Sequence, residues 1–186
     1  MNKAFIALAL ILPLVSTSSY AAPSKAASKA SSSANDTGNP FTPERNKAAG
    51  NLSTTLVTLQ KMANGCSGKG ELSEENIKKV QTRWQNQNKQ YLAVHYDYVS
   101  GYIMAIKQFQ GEESSKTALA EMTKFNNEQA NAIVKTMIDK DGVDAACKKY
   151  FGILGSGAMD IKEGYPDFKI WKGMLEYSKK NTPAKK

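Results

Sequence analysis

The chain has 186 residues, of which 41% are hydrophobic, and it carries 25 Lys and Arg against 17 Asp and Glu, a formal charge of +8. This length suits one domain with short appendages. The lysines are dispersed and are not interleaved with aromatic residues, which argues against a nucleic-acid partner. A basic surface could instead attract an acidic lipid, an acidic polymer or an acidic protein.

Residues 1–21 have the pattern of a secretory signal peptide. Lys3 supplies the positive charge, Ala4–Val15 the short apolar stretch, and Ser19 and Ala21 the small residues that signal peptidase recognises. The apolar stretch is too short for a permanent membrane span, and no later stretch is long enough. We predict cleavage after Ala21, with an uncleaved N-terminal anchor as the alternative, and a periplasmic or secreted location.

Residues 22–41 form a predicted linker. The stretch from Pro23 to Pro40 contains no large apolar side chain, so burial cannot offset the entropy cost of ordering it. We therefore expect a disordered, flexible linker, followed by a helical domain at 42–180 and a flexible tail at 181–186.

Cys66 and Cys147 are the only cysteines. An even number of cysteines in an exported protein favours one disulfide, which here closes a loop of about 80 residues and contributes roughly 4–5 kcal/mol in the loop-entropy model. The alternative is a catalytic thiol. A single histidine and the lack of a nucleophile motif make it the weaker interpretation.

The first two helices are predicted from their caps and their apolar spacing. Thr42 is placed to cap a helix that has Pro43 at its first position and ends at Gly65. Ser73 is placed to cap a second helix, which spans Glu74 to Gln110.

The second helix keeps its phase across the polar stretch 85–90, because Trp84 and Tyr91 are seven residues apart. At about 55 Å it is longer than a compact domain of this size, which is roughly 35–40 Å across. It must therefore bend, project at one end or break near 86–88. We favour a continuous helix, central to the fold.

Three more helices follow. Ser114 or Ser115 is expected to cap the third, Asn126-Asn127 is a candidate break within it, and a short fourth helix spans Val143 to Leu154. Gly152, Gly155 and Gly157 then suggest a flexible joint, and the last helix is expected to open at Tyr165-Pro166. The sequence thus predicts an all-α domain of about five helices in a compact bundle, with one long central helix and one disulfide.

The candidate site is the tyrosine-bearing face of the second helix. Tyr91, His95, Tyr98 and Tyr102 recur at helical spacing, and the stripe continues to Phe109. These rings would line a groove for a ligand or partner, with hydroxyls available for polar contacts. The alternative is a packed core face. We favour it for the lone histidine, because a histidine among tyrosines is more often a packed, hydrogen-bonded core residue.

No residue pattern indicates a metal or a cofactor. The acidic residues at 139–144 surround a glycine but lack the spacing of a calcium loop. Glu112 and Glu113 lie at a helix start, where acidic residues are favoured by the helix dipole. We therefore predict no catalytic residue, no metal ligand and no cofactor.

Gly101-Tyr102-Ile103, within an exported, two-cysteine, all-helical chain, is similar to periplasmic immunity proteins that neutralise secreted peptidoglycan amidases. The resemblance implies a binding protein whose partner is another protein. We accordingly expect a non-enzymatic protein of inhibitor, immunity or accessory type. Two alternatives remain. One is a binder of a small molecule or envelope polymer through the tyrosine-bearing face, and the other is a cell-envelope hydrolase that uses His95, Glu112 or Glu113.

Overall fold

The computed structural model describes residues 40–181, which form five α-helices with no strand among them. The helices are α1 (Pro43–Cys66), α2 (Glu74–Gln110), α3 (Glu112–Asp141), α4 (Val143–Gly155) and α5 (Phe168–Asn181). This confirms the predicted all-α fold of five helices with one long helix. The predicted signal peptide, the linker up to residue 39 and the tail from residue 182 lie outside the described residues.

The bundle is built on α1 and α2, since each of these helices packs against all four of the others. α3 lies against α1, α2 and α4, whereas α5 lies against α1 and α2. The core between them contains fully buried large side chains, among them Leu52, Met62, Trp84, Leu154 and Trp171. The long second helix is therefore central, as predicted.

α1 begins where its cap residue predicts. Thr42 is extended, with φ −97° and ψ 157°, and its hydroxyl accepts a hydrogen bond from the Arg45 amide at 3.3 Å. Pro43 occupies the first position, where a missing N–H costs nothing. The helix runs through Gly50 and ends at Cys66, so the cysteine lies in its last turn and not beyond it.

The predicted disulfide between Cys66 and Cys147 is present. It joins the last turn of α1 to α4, with the two Cα atoms 5.5 Å apart and a sequence separation of 81 residues. Both residues are buried in the core. The bridge therefore fixes α4 against the end of α1 from which the chain turns towards α2.

α2 is one uninterrupted helix of 37 residues, about 55 Å long at the usual rise per residue. Ser73 caps its start by accepting a hydrogen bond from the Asn76 amide at 3.1 Å. Gly111 ends it with a φ of +92°, a conformation that favours glycine. The polar stretch 85–90 does not break the helix, as expected.

One residue of that polar stretch, Asn88, is only 1% exposed, and both polar atoms of its side chain are hydrogen-bonded. Its Nδ2 donates to the Trp84 carbonyl at 2.7 Å, and its Oδ1 accepts from the Ile161 amide at 2.6 Å. The Trp84 indole donates to the Met159 carbonyl at 2.8 Å. Two hydrogen bonds from α2, one of them buried, thus hold the segment that connects α4 to α5.

An ion pair fixes the same connecting segment. Arg83 donates two hydrogen bonds to Asp160, at 2.8 and 2.6 Å, and one to the Leu154 carbonyl at 3.1 Å. Gly157 has a φ of +79°, and a Cβ at that position would lie 2.6 Å from Nη2 of the arginine. The expected flexible joint is therefore wrong at Gly157, where close packing around the ion pair requires a glycine.

The predicted cap of α3 is wrong. The helix begins at Glu112, because Gly111 reverses the chain within a single residue and leaves no room for a longer turn. Ser115 is buried, and its hydroxyl donates to the Glu112 carbonyl at 2.7 Å instead of capping the helix. The candidate break at Asn126-Asn127 is also absent, since Asn126 is buried and accepts a hydrogen bond from the Thr54 hydroxyl at 3.2 Å.

α5 begins at Phe168, later than the predicted opening at Tyr165-Pro166. Asp167 has a φ of +61°, which places the residues before it in a turn, and its carbonyl accepts from the Trp171 amide at 3.0 Å. None of the helices within residues 40–181 has the length and apolarity needed to cross a membrane.

Replacing Asn88 by alanine is expected to lower the free energy of unfolding by about 1–3 kcal/mol, because the buried Ile161 amide then has no acceptor. Asn86→Ala, at an exposed position two residues earlier, is the matched control and should leave stability unchanged or slightly higher. Urea titrations would measure both. Equal midpoints for the two variants would contradict the anchoring role of Asn88.

Removing the disulfide with the paired change Cys66→Ala and Cys147→Ala is expected to cost about 2–5 kcal/mol of stability. Thermal unfolding with and without dithiothreitol provides the measurement. The reductant should lower the melting temperature of the native chain and leave that of the double variant unchanged. A double variant as stable as the oxidised native chain would contradict the expectation.

Candidate functional site

The four predicted site residues lie on one face of α2, and neighbouring elements cover most of that face. Tyr91 is buried, with its ring 6.4 Å from that of Phe168. His95, Tyr98 and Tyr102 are half-buried. The face is therefore packed against other parts of the chain from Tyr91 to Tyr102, and it does not form an open tyrosine groove.

His95 lies where α1, α2 and α5 meet. Its Nε2 is 2.8 Å from the Ser53 hydroxyl oxygen and 3.2 Å from the Ala49 carbonyl oxygen, both on α1. Its ring centroid is 6.0 Å from that of Trp171 on α5. This geometry agrees with the expectation of a packed, hydrogen-bonded histidine.

The pair of Ser53 and His95 resembles part of a nucleophilic site, but its hydrogen bonds oppose that chemistry. The Ala49 carbonyl can only accept, so we assign the proton of the imidazole to Nε2. A protonated Nε2 cannot take the proton of the Ser53 hydroxyl, as a general base must. The sequence did not reveal this pair, because the alignment of α1 against α2 is not encoded in either helix alone.

Burial also controls the protonation of this face. Burial lowers the pKa of His95 below its ordinary 6.5, and the hydrogen bond to the Ala49 carbonyl opposes that effect. Burial raises the pKa of Tyr98, against the opposing charge of Arg45. The imidazole is therefore favoured as the neutral form, and the Tyr98 phenol stays protonated and donates to Asn46 at 2.8 Å.

The acidic residues considered for metal binding or hydrolysis are used in surface contacts. Asp141 pairs with Lys149 at 2.9 Å, and Asp144 accepts a hydrogen bond from the Gly70 amide at 3.0 Å. Within residues 40–181 there is no group of three or more His, Cys, Asp or Glu side chains placed to hold a metal ion.

Phe41 marks the end of the covered part of α2. Its ring lies edge-on to those of Tyr98 and Tyr102, each at 5.4 Å between centroids. The ring also approaches Gly101, where an added Cβ would lie 3.7 Å away. The Gly101-Tyr102-Ile103 segment therefore lies where the start of α1 meets α2.

The turns of α2 that follow Tyr102 and the first turns of α3 make up residues 103–119, which we name the distal hairpin. Phe109 follows Tyr102 by seven residues and so lies on the same face of α2, yet it is 79% exposed. Leu119 precedes the buried Asn126 by seven residues on α3, and it is 50% exposed. Each of these exposed side chains thus lies on a helix face that is packed against other parts of the chain further along the same helix.

The charged side chains of the distal hairpin neutralise one another. Lys107 lies 3.4 Å from Glu112, and Lys116 lies 3.4 Å from Glu112 and 2.9 Å from Glu113. Two lysines thus balance two glutamates in a chain whose overall charge is +8. The charged side chains of the hairpin therefore sum to no net charge, and they are exposed beside Phe109 and Leu119 in the sequence. Neither glutamate lies in a cleft with His95, which is eight residues before Ile103.

Comparison with protein-family models, with curated proteins and with solved structures gives no match for this chain. The structural class of the protein is therefore described from its own fold and side chains. It is an all-α, five-helix bundle with one disulfide, and its distal hairpin carries exposed apolar side chains.

His95 is expected to make the protein less stable in acid. Its pKa is lowered in the folded state, so the unfolded chain binds a proton more readily. The stability from the neutral imidazole is complete above about pH 6.5 and is lost as the pH falls towards the folded pKa, by at most about 1.4 kcal/mol per pH unit.

The measurement is the free energy of unfolding between pH 7.5 and 4.5 for the native chain and for His95→Gln. The carboxylates titrate in both proteins, so the difference between the two curves isolates the histidine. The glutamine variant should lose less stability on acidification. Parallel curves would show that burial of the imidazole does not couple folding to pH.

Proposed function

We propose that this chain is an exported, non-enzymatic helical protein that binds a protein partner in the periplasm, as an inhibitor, immunity protein or accessory factor. The observation that carries the proposal is the exposure of Phe109 and Leu119 on the faces of the distal hairpin that are packed lower down. Large apolar side chains that are exposed on a folded domain are candidates for burial at a protein interface.

The charge balance of the distal hairpin supports a protein partner over an acidic polymer. Its lysines are paired with its own glutamates, so the hairpin offers no excess positive charge to a polyanion. The favourable term for binding is instead the burial of apolar surface, about 1.5–3 kcal/mol for each Phe or Leu side chain that becomes fully covered.

A non-enzymatic role is supported by the way in which the candidate catalytic groups are used. Nε2 of His95 faces a carbonyl oxygen, and Glu112 and Glu113 form ion pairs at the tip of the hairpin. Binding of a small molecule to the tyrosine-bearing face has less support, because Phe41 covers Tyr98 and Tyr102.

Export is supported by the disulfide between Cys66 and Cys147, since structural disulfides persist in oxidising compartments. The signal peptide predicted at residues 1–21 provides the route. Together they favour a periplasmic or secreted location for the proposed complex.

Changing Phe109 or Leu119 to serine is expected to weaken partner binding by about tenfold or more, because each change removes a buried apolar side chain from the interface. Met104→Ser is the matched control. Met104 is 69% exposed on the same hairpin but lies two residues from Tyr102, on another face of α2, so its replacement should preserve binding.

The assay is quantitative capture of the partner from periplasmic extract on the immobilised native chain and on each variant. Urea midpoints for all variants confirm that folding is intact. Unchanged capture by both Phe109→Ser and Leu119→Ser, with folding preserved, would exclude the distal hairpin as the partner-binding surface.

A further inference from the structure

We infer that α5 holds the protein against an anionic phospholipid surface through the lysines of its outer side. Four residues, which we call the α5 lysines, carry this role: Lys169, Lys172, Lys179 and Lys180. α5 shares no residue with the distal hairpin, so membrane binding by the α5 lysines goes beyond the proposed function and does not depend on it.

The α5 lysines lie on the side of the helix that faces away from the core. Trp171 and Met174 form the inner side, since they are only 1% and 5% exposed. Lys169 and Lys172 are three residues apart and Lys172 and Lys179 are seven apart, so helical spacing brings them onto one side. All four α5 lysines are exposed, and they extend over about 16 Å of helix at the usual rise per residue.

Ion pairs within the described residues do not cancel the charge of the α5 lysines. Among residues 40–181, none of the four forms a salt bridge. By contrast, five of the six lysines in α3 and α4 do form one. Glu176 is the only acidic residue of α5, so four lysines against one glutamate leave the helix with a net charge of +3.

The residues outside 40–181 add positive charge instead of cancelling it. They contain five lysines and a single acidic residue, Asp36. Two of those lysines, Lys185 and Lys186, follow α5 within five residues. The last 19 residues of the chain thus carry six lysines against one glutamate, which is +5 of the formal +8. The excess positive charge of the chain is concentrated at its C-terminal end.

An anionic lipid surface matches the α5 lysines better than an acidic protein does. Arginine recognises carboxylates through paired hydrogen bonds of fixed geometry, whereas lysine acts as a point charge on a flexible stem and is depleted in protein interfaces. α5 contains no arginine. Phospholipid headgroups diffuse in the plane of the membrane and can gather around lysines, which need no fixed geometry for this attraction.

An acidic polymer also fits this side of α5 less well. Extended polyanions are typically held in a positively charged groove that follows their backbone. The α5 lysines lie instead along the convex outer side of one short helix. A membrane can contact such a surface without a groove.

The contact we infer is electrostatic and peripheral. The apolar side of α5 is used within the bundle, since the ring of Trp171 lies 6.0 Å from that of His95 and the ring of Phe168 lies 6.4 Å from that of Tyr91. α5 therefore does not bury these side chains in lipid while the bundle is folded. Each lysine near an anionic membrane strengthens binding by about fivefold, and salt screens this attraction.

Flotation with phospholipid vesicles tests the inference. The exported protein is purified and mixed with vesicles of phosphatidylcholine alone, or with vesicles that contain roughly one third phosphatidylglycerol. We expect binding to the phosphatidylglycerol vesicles only. The partition coefficient should fall by at least about tenfold when NaCl is raised from about 50 to about 500 mM.

Two variants of α5 separate charge from other properties of the lysines. The triple change Lys169→Gln, Lys172→Gln and Lys180→Gln removes three charges and should weaken vesicle binding by about a hundredfold. The same three positions changed to arginine keep the charge and should bind as the native chain does. Urea midpoints confirm that both variants are folded.

The matched control removes the same total charge from α3, which does not pack against α5. It is the triple change Lys124→Gln, Lys135→Gln and Lys140→Gln, at three exposed positions. This variant should bind the vesicles within about threefold of the native chain, because charges away from the contact are screened.

Four outcomes would overturn the inference. Equal losses in the two glutamine variants would show that only the overall charge matters. Loss of binding in the arginine variant would show that positive charge alone is not sufficient. Equal binding to neutral and anionic vesicles would indicate insertion of exposed apolar side chains, such as Phe109. Lack of binding to anionic vesicles would also exclude a lipid surface, and retention on purified cell-wall polymer would then identify an acidic polymer as the ligand of α5.

Discussion

The hydrogen bonds that α2 makes to the segment between α4 and α5 are the interaction on which the rest of the bundle depends. Arg83, Trp84 and Asn88 bind backbone and carboxylate groups between residues 154 and 161, and these hydrogen bonds are buried or partly buried. A buried polar group without a partner is costly, so this arrangement strongly favours a single path for the connecting segment. That path determines where α5 packs, and α5 in turn places Trp171 against His95.

Much of the fold could be predicted from local patterns. The caps at Thr42 and Ser73 each satisfy an amide three residues ahead, a short-range effect that the sequence displays directly. The start of α3 could not be predicted in the same way, because it depends on the backbone conformation of Gly111. The role of Asn88 was also hidden, since an asparagine in a polar stretch gives no sign that Ile161 lies opposite.

At the candidate site, too, the sequence did not predict how the helices pack against one another. Helical spacing correctly placed Tyr91, Tyr102 and Phe109 on one face of α2, but it gave no information on how far the neighbouring helices extend. Tyr91 is buried and Phe109 is exposed because α5 and Phe41 cover only part of the length of α2. Exposure of the hairpin therefore follows from the different lengths of α1 and α2, which only the assembled bundle reveals.

Within residues 40–181, α1 begins at Pro43 and does not extend along the distal hairpin to its tip, so the hairpin must be stable without it. Both of its helices are continuous with long packed helices, so it requires no new helix nucleation, which is the costly step for an isolated segment. The ion pairs at its tip are solvent-exposed and contribute only about 0–1 kcal/mol each, so they serve mainly to cancel charge. The continuity of the two helices thus supports the hairpin, and Phe109 and Leu119 remain exposed on it.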